Sequence, residues 1–346
     1  MYKEISLLEN CRTGDVIAED IENERGLTLV AKNTVFNPYI KSKLEQWRIS
    51  EVWLHIPEHV IKEREALHTV KKDYYNNLTE VKRFIYDLVK TGTMNYSRIR
   101  ELSDRVFINS NYDNYLIIKC LSEIKSTDEY TYIHSVNVAM YSMLIGKWMN
   151  MASASIKELI EAALLHDIGK IKIPLEILNK NGRLTEEEYE IIKEHPQLGK
   201  KLLLKNSKVP ENVIDAVLMH HERIDGSGYP NKLTLDNINL YARIIAIADV
   251  FDAMTQNRVY KKKVSPFEAF EMFTTIGFKS FDPSILMLFL KRISVLYMGF
   301  KVLLSTGDVG EIAFVPPQDV TCPVIYVNNQ YIDIAKENHI KILEIL

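Results

Sequence analysis

Seven histidines and aspartates are the residues of this chain best suited to do chemistry together. Five of the nine histidines fall within residues 134–221, about a quarter of the chain. The candidate set is His134, His166, Asp167, His195, His220, His221 and Asp249. A neutral imidazole ligates one metal ion, whereas the two oxygens of a carboxylate can bridge two ions. The clustering therefore predicts a metal centre.

The spacing of these residues suggests two ion sites that share one carboxylate. Asp167 would be the bridge, with the ions roughly 3.5–4 Å apart. One ligand set would be His134, His166, Asp167 and Asp249, and the other His195, His220 and His221. Mixed imidazole and carboxylate ligation favours iron or manganese, with zinc as an alternative. Because no cysteine belongs to the set, a structural zinc site is not expected.

Three basic residues lie close to these ligands in sequence. Lys170 follows Asp167 by three residues, and Arg258 and Lys261 follow Asp249 by nine and twelve. Each could be a solvated surface charge. Beside a dimetal centre they become phosphate-neutralising groups, arginine as a bidentate clamp and lysine as a point charge. The run 261–263 is basic but lacks interleaved aromatic residues, so it does not predict a nucleic-acid platform.

The ligands must be positioned by helices, and the helix signals lie where the ligands need them. Thr127 or Asp128 can cap a helix that carries His134, and Thr185 with Glu188 forms a capping box. The apolar, capping and breaker patterns predict helices from 127 to about 148, over 159–165, from 185 to near His195-Pro196, from about 211 to 220, over 243–254, and after Ser265-Pro266. Each of the first five helices carries or ends at a predicted ligand.

A loop is required directly after His220-His221. Residues 222–230 contain two glycines and a proline within five positions, which excludes a regular helix. We expect Gly226 and Gly228 to supply positive φ angles. Tyr229 could contact a substrate or a partner protein.

The rest of the chain predicts four segments. Residues 1–60 form a small mixed α/β module of possible regulatory use, with a hairpin turn at 23–26, a helix from Asn37-Pro38 and a strand at 51–56. Residues 61–125 are mostly helical and form a linker or dimerisation segment, 126–295 form the catalytic domain, and 296–346 form a small β-rich appendage. The predicted fold class is mainly α, and a homodimer is expected.

Composition sets limits on partners and location. The chain has 346 residues and a formal net charge of −3, which gives no general attraction to nucleic acid or anionic membranes. The three cysteines are far apart and form no disulfide framework. The N-terminus does not resemble a signal peptide, and no run approaches the ~20 apolar residues of a membrane helix. We expect a cytoplasmic protein that binds neither nucleic acid nor membrane.

The motifs together resemble the HD-GYP family, a subclass of the HD metal-dependent phosphohydrolases. The matching segments, in order, are His134, the string 166–170 (HDIGK), His195-Pro196, the string 220–230 (HHERIDGSGYP) and the string 249–255 (DVFDAMT). The resemblance covers about residues 127–290. It implies an all-helical HD fold and hydrolysis of the bacterial second messenger cyclic di-GMP.

The resemblance also implies roles for single residues. The seven candidate ligands would hold the metals, Lys170, Arg258 and Lys261 would contact phosphate, and Asp167 and Lys170 would be catalytic. A hydroxide generated at the metals would attack phosphorus and release the 3′ oxygen. The product would be pGpG, or GMP if a second cut follows, and Tyr229 could stack on a guanine of this substrate. Lys170 is one candidate for protonating that oxygen.

Two positions depart from the family pattern. Members with three metals look to carry a glutamate four residues before the first histidine, where this chain has Tyr130, with Glu129 about 100° away round the helix. Two metals are therefore expected, and a third is not. The family usually has Arg-Pro-Tyr where this chain has Arg258-Val259-Tyr260, so the loop loses the rigidity of proline.

Two alternative functions stay open. One is hydrolysis of another cyclic dinucleotide or nucleotide by the same chemistry. The other is a non-catalytic module that senses nucleotide or binds a diguanylate cyclase. An incomplete ligand set would favour the second alternative, but every position of the binuclear set is filled.

Overall fold

The computed structural model describes residues 2–11, 13–124, 130–180, 182–256, 263–337 and 339–346. The chain divides into two compact units, Met1–Thr69 and Val70–Leu346. Among the described residues, no helix is both long enough and apolar enough to cross a bilayer. The predicted segment boundaries at 60, 125 and 295 stay predictions.

The first unit is a small α/β module. Its elements are β1 (Tyr2–Leu7), β2 (Ile21–Glu22), β3 (Thr28–Val30), α1 (Pro38–Gln46), β4 (Glu51–Ile56) and the start of α2 (Glu58–Thr91). β1 pairs antiparallel with β4, and β2 pairs with β3. Helix α1 begins where predicted because the Asn37 side chain accepts a hydrogen bond from the Ile40 amide and proline suits the first turn.

The predicted hairpin is present around the turn at 23–26. Its first strand is β2, however, and not the apolar run at residues 15–20, which the sequence favours as that strand. Val16 and Ile17 instead make isolated bridges with Val35 and Leu54. Ile17 is fully buried in a core that includes Phe36, Leu44 and Val52. Burial in this core, rather than alternation along one ladder, therefore explains the apolar run.

The second unit is mainly helical and ends in a small sheet, as the sequence predicts, and the mainly α fold class is confirmed. After α2, its helices are α3 (Tyr96–Ile108), α4 (Asn114–Glu123), α5 (Tyr130–Trp148), α6 (Ser153–Leu165), α7 (Leu175–Leu178), α8 (Glu186–Ile192), α9 (His195–Leu203), α10 (Glu211–Met219), α11 (Leu240–Thr255), α12 (Pro266–Met272), α13 (Phe278–Ser280) and α14 (Pro283–Ile293). A 3-10 turn, Ile168–Lys172, follows α6.

Helix α5 is the centre of this unit. Every residue from 133 to 146 is buried, so the helix is enclosed on all sides rather than amphipathic. Helices α6 and α11 pack against it, α3 and α10 pack against α6, and α9 packs against the 3-10 turn. The helices that carry the candidate ligands therefore meet around one apolar core.

The predicted helix from Thr185 is shorter than expected. Thr185 and Glu188 form the predicted capping box at the start of α8. That helix ends at Ile192, and His195 begins α9 with Pro196 in its first turn. The sequence interpretation took Pro196 as a helix end. Proline is equally suited to a helix start, because the first turn needs no amide donor.

The β-rich appendage at the C-terminus is an antiparallel sheet in the order β8-β7-β6-β5-β9. Its strands are β5 (Lys301–Leu304), β6 (Val309–Phe314), β7 (Val324–Val327), β8 (Gln330–Asp333) and β9 (Ile342–Ile345). The first four match the strand-like runs that the sequence shows at 301–305, 310–315, 324–327 and 330–334. The fifth, β9, was not predicted; it pairs with β5, about forty residues earlier.

Candidate metal centre

Five helix positions bring the candidate ligands together. His134 lies on α5, and His166 and Asp167 follow the last residue of α6. His195 is the first residue of α9, His220 and His221 follow α10, and Asp249 lies on α11. All are buried except His221, which is partly buried. Helix ends are a natural source of ligands because the chain can leave the helix directly after the ligand.

The ligand atoms form two groups that share Asp167. In each group the atoms lie within 4.8 Å of one another: His134, His166 and Asp167 in one, and Asp167, His195, His220 and His221 in the other. Asp249 adjoins both groups. Its Oδ1 lies 3.0 Å from His134 Nε2, and its Oδ2 lies 3.9 Å from His221 Nδ1. The division resembles the two predicted ligand sets, with Asp167 between them.

Hydrogen bonds fix the tautomers of three histidines. The Nδ1 atoms of His166, His195 and His220 lie 2.6–2.8 Å from the backbone carbonyls of Ala163, Ile192 and Val217. A carbonyl oxygen only accepts, so each Nδ1 must carry the proton. In the neutral ring the Nε2 lone pair then faces the centre, as metal ligation requires.

Two features of the centre fit a divalent metal. His195 Nε2 and His220 Nε2 lie 3.2 Å apart, so their lone pairs would repel without a cation near them. His166 Nε2 and Asp167 Oδ1 are buried and make no hydrogen bond within the described part of the chain. Buried polar atoms normally have a partner. The donor set, five imidazoles and two carboxylates, suits a transition metal.

The charges of the centre are set by its surroundings. Burial favours the neutral carboxyl, yet Lys170 and nearby histidines hold the pKa of Asp167 well below its usual range. Burial opposes ionisation of Asp249 too, but His134 keeps the pKa of Asp249 well below normal. Burial lowers the pKa of His221 to about 3 and that of His220 well below normal. At neutral pH these groups are carboxylates and neutral imidazoles, the forms that bind metal.

His134 differs from the other histidines because a carboxylate network holds its outer nitrogen. Its Nδ1 lies 2.7 Å from Asp252 Oδ2, and Asn137 Nδ2 donates to Asp252 Oδ1 over 2.8 Å. The Tyr74 hydroxyl donates to Asn137 Oδ1, also over 2.8 Å. Although burial opposes it, hydrogen bonds to Asp249 and Asp252 raise the pKa of His134 to about 9. Metal binding there requires release of that proton.

Of the three residues predicted to contact phosphate, the structure describes Lys170. Lys170 lies at the centre, with its Nζ 2.5 Å from Asp167 Oδ2. Arg258 and Lys261 lie outside the described residues, as do Thr127, Asp128 and Glu129. Tyr130 is the first described residue of α5. Its ring stacks on that of His134, with the centroids 5.5 Å apart.

The loop after His221 is held by Glu222, which is buried. Its carboxylate accepts hydrogen bonds from the amides of Asn231 (2.6 Å) and Leu233 (2.9 Å). Gly226 has the expected positive φ of 77°, but Gly228 does not have a positive φ. A Cβ at Gly228 would lie 2.3 Å from the Arg223 nitrogen, so close backbone approach explains this glycine. Tyr229 stacks on His221, with centroids 4.7 Å apart.

Sequence reasoning did not assign roles to three buried polar residues, Asn137, Glu222 and Asp252. Asp252 follows Asp249 by three residues, which places both on one face of α11, so spacing gave one signal. Asn137 lies three residues after His134 in the same way. Glu222 gave no signal beyond its place in the matched motif.

Comparisons with known proteins agree with this arrangement. Residues 119–285 match the family described as HD domain. A Pseudomonas aeruginosa protein named cyclic di-GMP phosphodiesterase is 40% identical over 190 residues, 55% of this chain and 46% of that protein. A Thermotoga maritima protein of the same name is 39% identical over 188 residues, 53% of this chain and 50% of that protein. The chain thus spans about half the length of these curated relatives.

Two other comparisons bear on substrate and fold. A Vibrio cholerae protein named 3'3'-cGAMP-specific phosphodiesterase 2 is 32% identical over 178 residues, 51% of this chain and 34% of that protein. Among solved structures, the HDG"Y"P protein Bd1817 of Bdellovibrio bacteriovorus aligns with a TM-score of 0.53 and 15% identity. The alignment covers 83% of this chain and 98% of that one, which is a likeness of fold.

Proposed function

We propose that this chain, which belongs to the HD-GYP family of HD-domain proteins, is a metal-dependent phosphodiesterase that hydrolyses cyclic di-GMP. The observation that carries the proposal is the convergence of five histidines around Asp167, with Asp249 beside His134 and His221. The Nε2 atoms of His166, His195 and His220 face inward. Two relatives named for this activity support the choice of substrate.

The proposed ligands would hold two divalent ions, with iron or manganese favoured by the mixed donor set. His134, His166, Asp167 and Asp249 would hold one, and Asp167, His195, His220 and His221 the other. Such ions supply Lewis-acid activation of water and of the phosphate. Buried neighbours keep the ligands in place, because each of four histidines has its outer nitrogen held by an acceptor.

The remaining residues would handle the substrate. Hydrolysis adds water across one P–O3′ bond, so the 3′ oxygen leaves as a hydroxyl and linear pGpG forms; a second cut gives GMP. Lys170, whose ammonium lies beside Asp167, is placed to contact the phosphate and to donate a proton to the leaving 3′ oxygen. Arg258 and Lys261 are proposed to neutralise the phosphate, as their position in the motif suggests.

Metal removal provides the direct test. We expect protein purified without oxygen to carry two iron or manganese ions per chain and to convert cyclic di-GMP to pGpG. Chelation should abolish the reaction, and added Fe²⁺ or Mn²⁺ should restore it. The measurements are elemental analysis and chromatographic identification of products. Hydrolysis by fully metal-free protein would contradict the proposal.

The same assay distinguishes cyclic di-GMP from an alternative substrate. The relative named for 3'3'-cGAMP makes that dinucleotide the second candidate. Faster hydrolysis of 3'3'-cGAMP than of cyclic di-GMP would favour it. Binding without hydrolysis of either would favour a sensor. A homodimer, a diguanylate cyclase partner and a cytoplasmic location remain proposals from the sequence.

A second prediction concerns the carboxylate behind His134. The Asp252 carboxylate accepts one hydrogen bond from His134 and one from Asn137. In Asp252→Asn the side chain has only one acceptor oxygen, so one of these two hydrogen bonds is lost. We expect the dissociation constant for Mn²⁺ to rise by about 10- to 100-fold. Calorimetric titration measures it. The control is Asp236→Asn, because Asp236 is exposed on a 3-10 turn. Unchanged Mn²⁺ affinity in Asp252→Asn would contradict the role.

A further inference from the structure

A chain of three hydrogen bonds connects helix α2 to the metal centre. The Tyr74 hydroxyl lies 2.8 Å from Asn137 Oδ1, and Asn137 Nδ2 lies 2.8 Å from Asp252 Oδ1. Asp252 Oδ2 in turn lies 2.7 Å from His134 Nδ1. The first residue lies on α2, the second and fourth on α5, and the third on α11. The chain therefore ends on a candidate ligand and begins outside residues 119–285, the segment that matches the HD domain.

The direction of each hydrogen bond in this chain is fixed by the groups that meet. A carboxylate only accepts, so Asn137 must turn its NH₂ group toward Asp252 and its carbonyl oxygen toward Tyr74. That oxygen also only accepts, so the Tyr74 hydroxyl must be the donor. His134 donates to the other oxygen of the carboxylate. Two donors, one from each end, therefore hold the Asp252 carboxylate in a single orientation.

Burial makes the phenol hard to replace. Tyr74, Asn137 and Asp252 are fully buried, so water does not reach them to supply a missing partner. Without the hydroxyl, Asn137 Oδ1 would lose the donor that it has, at the cost of an unsatisfied buried acceptor. The amide cannot turn round to compensate, because its oxygen would then face the Asp252 carboxylate. In the protein interior, consecutive hydrogen bonds also strengthen one another. Loss of the hydroxyl therefore weakens the support of His134.

Two further contacts hold the turn of α2 that carries the phenol. Tyr112 donates a hydrogen bond to Asp73 Oδ2 over 2.6 Å, and Lys71 forms an ion pair with Glu123, the last residue of α4. Both contacts are partly exposed, whereas the contact of Tyr74 with α5 is buried. Movement of this turn would have to break all three contacts, so they fix where the Tyr74 hydroxyl lies.

We propose that Tyr74 is a positioning residue of the metal centre: through the two polar residues between them, it holds His134 in place as a ligand. The assignment rests on the metal centre of the proposed function and not on its substrate. It gives α2, which the sequence predicts as part of a linker or dimerisation segment, a role in metal binding. A movement of α2 that withdraws the phenol would therefore lower metal affinity without displacing a ligand directly.

The test is Tyr74→Phe in the full-length protein, which removes the hydroxyl and keeps the ring. We expect the dissociation constant for Mn²⁺ to rise about three- to ten-fold. The effect should be smaller than that of Asp252→Asn, because Asp252 contacts His134 directly and Tyr74 does not. Calorimetric titration of metal-free protein below its unfolding transition measures the constant. Wild-type Mn²⁺ affinity in Tyr74→Phe would overturn the assignment.

The matched control is Tyr96→Phe. Tyr96 is buried like Tyr74, and its hydroxyl donates to the buried Glu161, so this variant also loses one buried hydrogen bond. Among the residues that the structure describes, Glu161 makes side-chain hydrogen bonds with Tyr96 and Ser103, neither of which is a candidate ligand. Tyr96→Phe should therefore lose a similar amount of thermal stability and keep wild-type Mn²⁺ affinity. An equal loss of Mn²⁺ affinity in both variants would indicate a general loss of packing and would overturn the assignment.

A double-mutant cycle shows whether Tyr74 acts through Asp252. In Asp252→Asn the chain is already interrupted, so adding Tyr74→Phe should change the Mn²⁺ dissociation constant by less than about two-fold. If the two single effects multiply instead, the assignment is wrong. Turnover is a separate readout: if wild-type protein binds Mn²⁺ and does not hydrolyse cyclic di-GMP, the proposed function fails and the role of Tyr74 stands. A wild-type protein that binds no divalent metal would overturn both.

Discussion

Asp167→Asn should reduce metal-dependent hydrolysis of cyclic di-GMP by about 10³-fold or more while leaving the protein folded. Asp167 is the residue shared by both ligand groups. Its Oδ1 lies 3.3 Å from His195 Nε2, and its Oδ2 lies 3.4 Å from His166 Nε2. Asparagine keeps the volume but has no negative charge and only one acceptor oxygen, so it cannot bridge two cations.

Three measurements make this expectation decisive. They are kcat/KM for cyclic di-GMP, metal content per chain, and thermal unfolding, which checks that the variant is folded. We expect bound metal to fall together with activity. Asp236→Asn, the exposed control, should match wild type in all three. Wild-type turnover by folded Asp167→Asn would remove the central assumption of the proposed function.

The composition of the centre could be predicted from the sequence because its residue types are rare and clustered. Histidine is uncommon, and five histidines near two aspartates at predicted helix ends are hard to account for except as ligands. The structure brings all seven together. The partners that hold them were harder to predict. Asp252 contacts His134 across 118 residues of sequence, and no local spacing encodes such a contact.

The difference between local signals and long-range contacts also explains which parts of the fold could be predicted. Local signals located the start of α1 at Asn37-Pro38 and the Thr185 capping box, because both depend on residues within one turn. Strand β1 was missed because its partner β4 lies some fifty residues away, and its side chains are mostly exposed. Strand β9 was missed for a similar reason: its pairing with β5 depends on the whole sheet. Strand propensity has meaning mainly through such neighbours.

Gly169 shows how a structural reason can differ from a sequence interpretation. The sequence alone favours a turn at this glycine, directly after His166-Asp167, since glycine allows the chain to change direction. It lies in the 3-10 turn that packs on α9, and its φ is not positive. A Cβ built at this position would lie 1.9 Å from the backbone oxygen of His195 and 2.6 Å from the Gly199 nitrogen. Glycine is required because two backbone segments meet there.

Gly169→Ala is therefore expected to damage both stability and the metal centre. The methyl group meets backbone atoms, which cannot rotate away, so the 3-10 turn and α9 must separate. We expect a loss of about 3 kcal/mol or more in the free energy of unfolding. The separation would also move Asp167 relative to His195, and a displacement of about 1 Å can cost roughly 100-fold in activity. Chemical denaturation and kcat/KM measure the two effects.

A control variant and the Mn²⁺ affinity of Gly169→Ala decide whether Gly169 serves the fold alone or also the metal centre. In Gly277→Ala, the atoms nearest to the added methyl belong to the side chains of Phe273 and Leu286, at 3.1–3.2 Å, and side chains can adjust. That variant should lose less stability and keep its Mn²⁺ affinity. If Gly169→Ala is unstable but binds Mn²⁺ as tightly as wild type below its unfolding transition, Gly169 serves the fold alone. Weaker Mn²⁺ binding in the folded variant would show that close packing of the 3-10 turn on α9 sets the separation between Asp167 and His195.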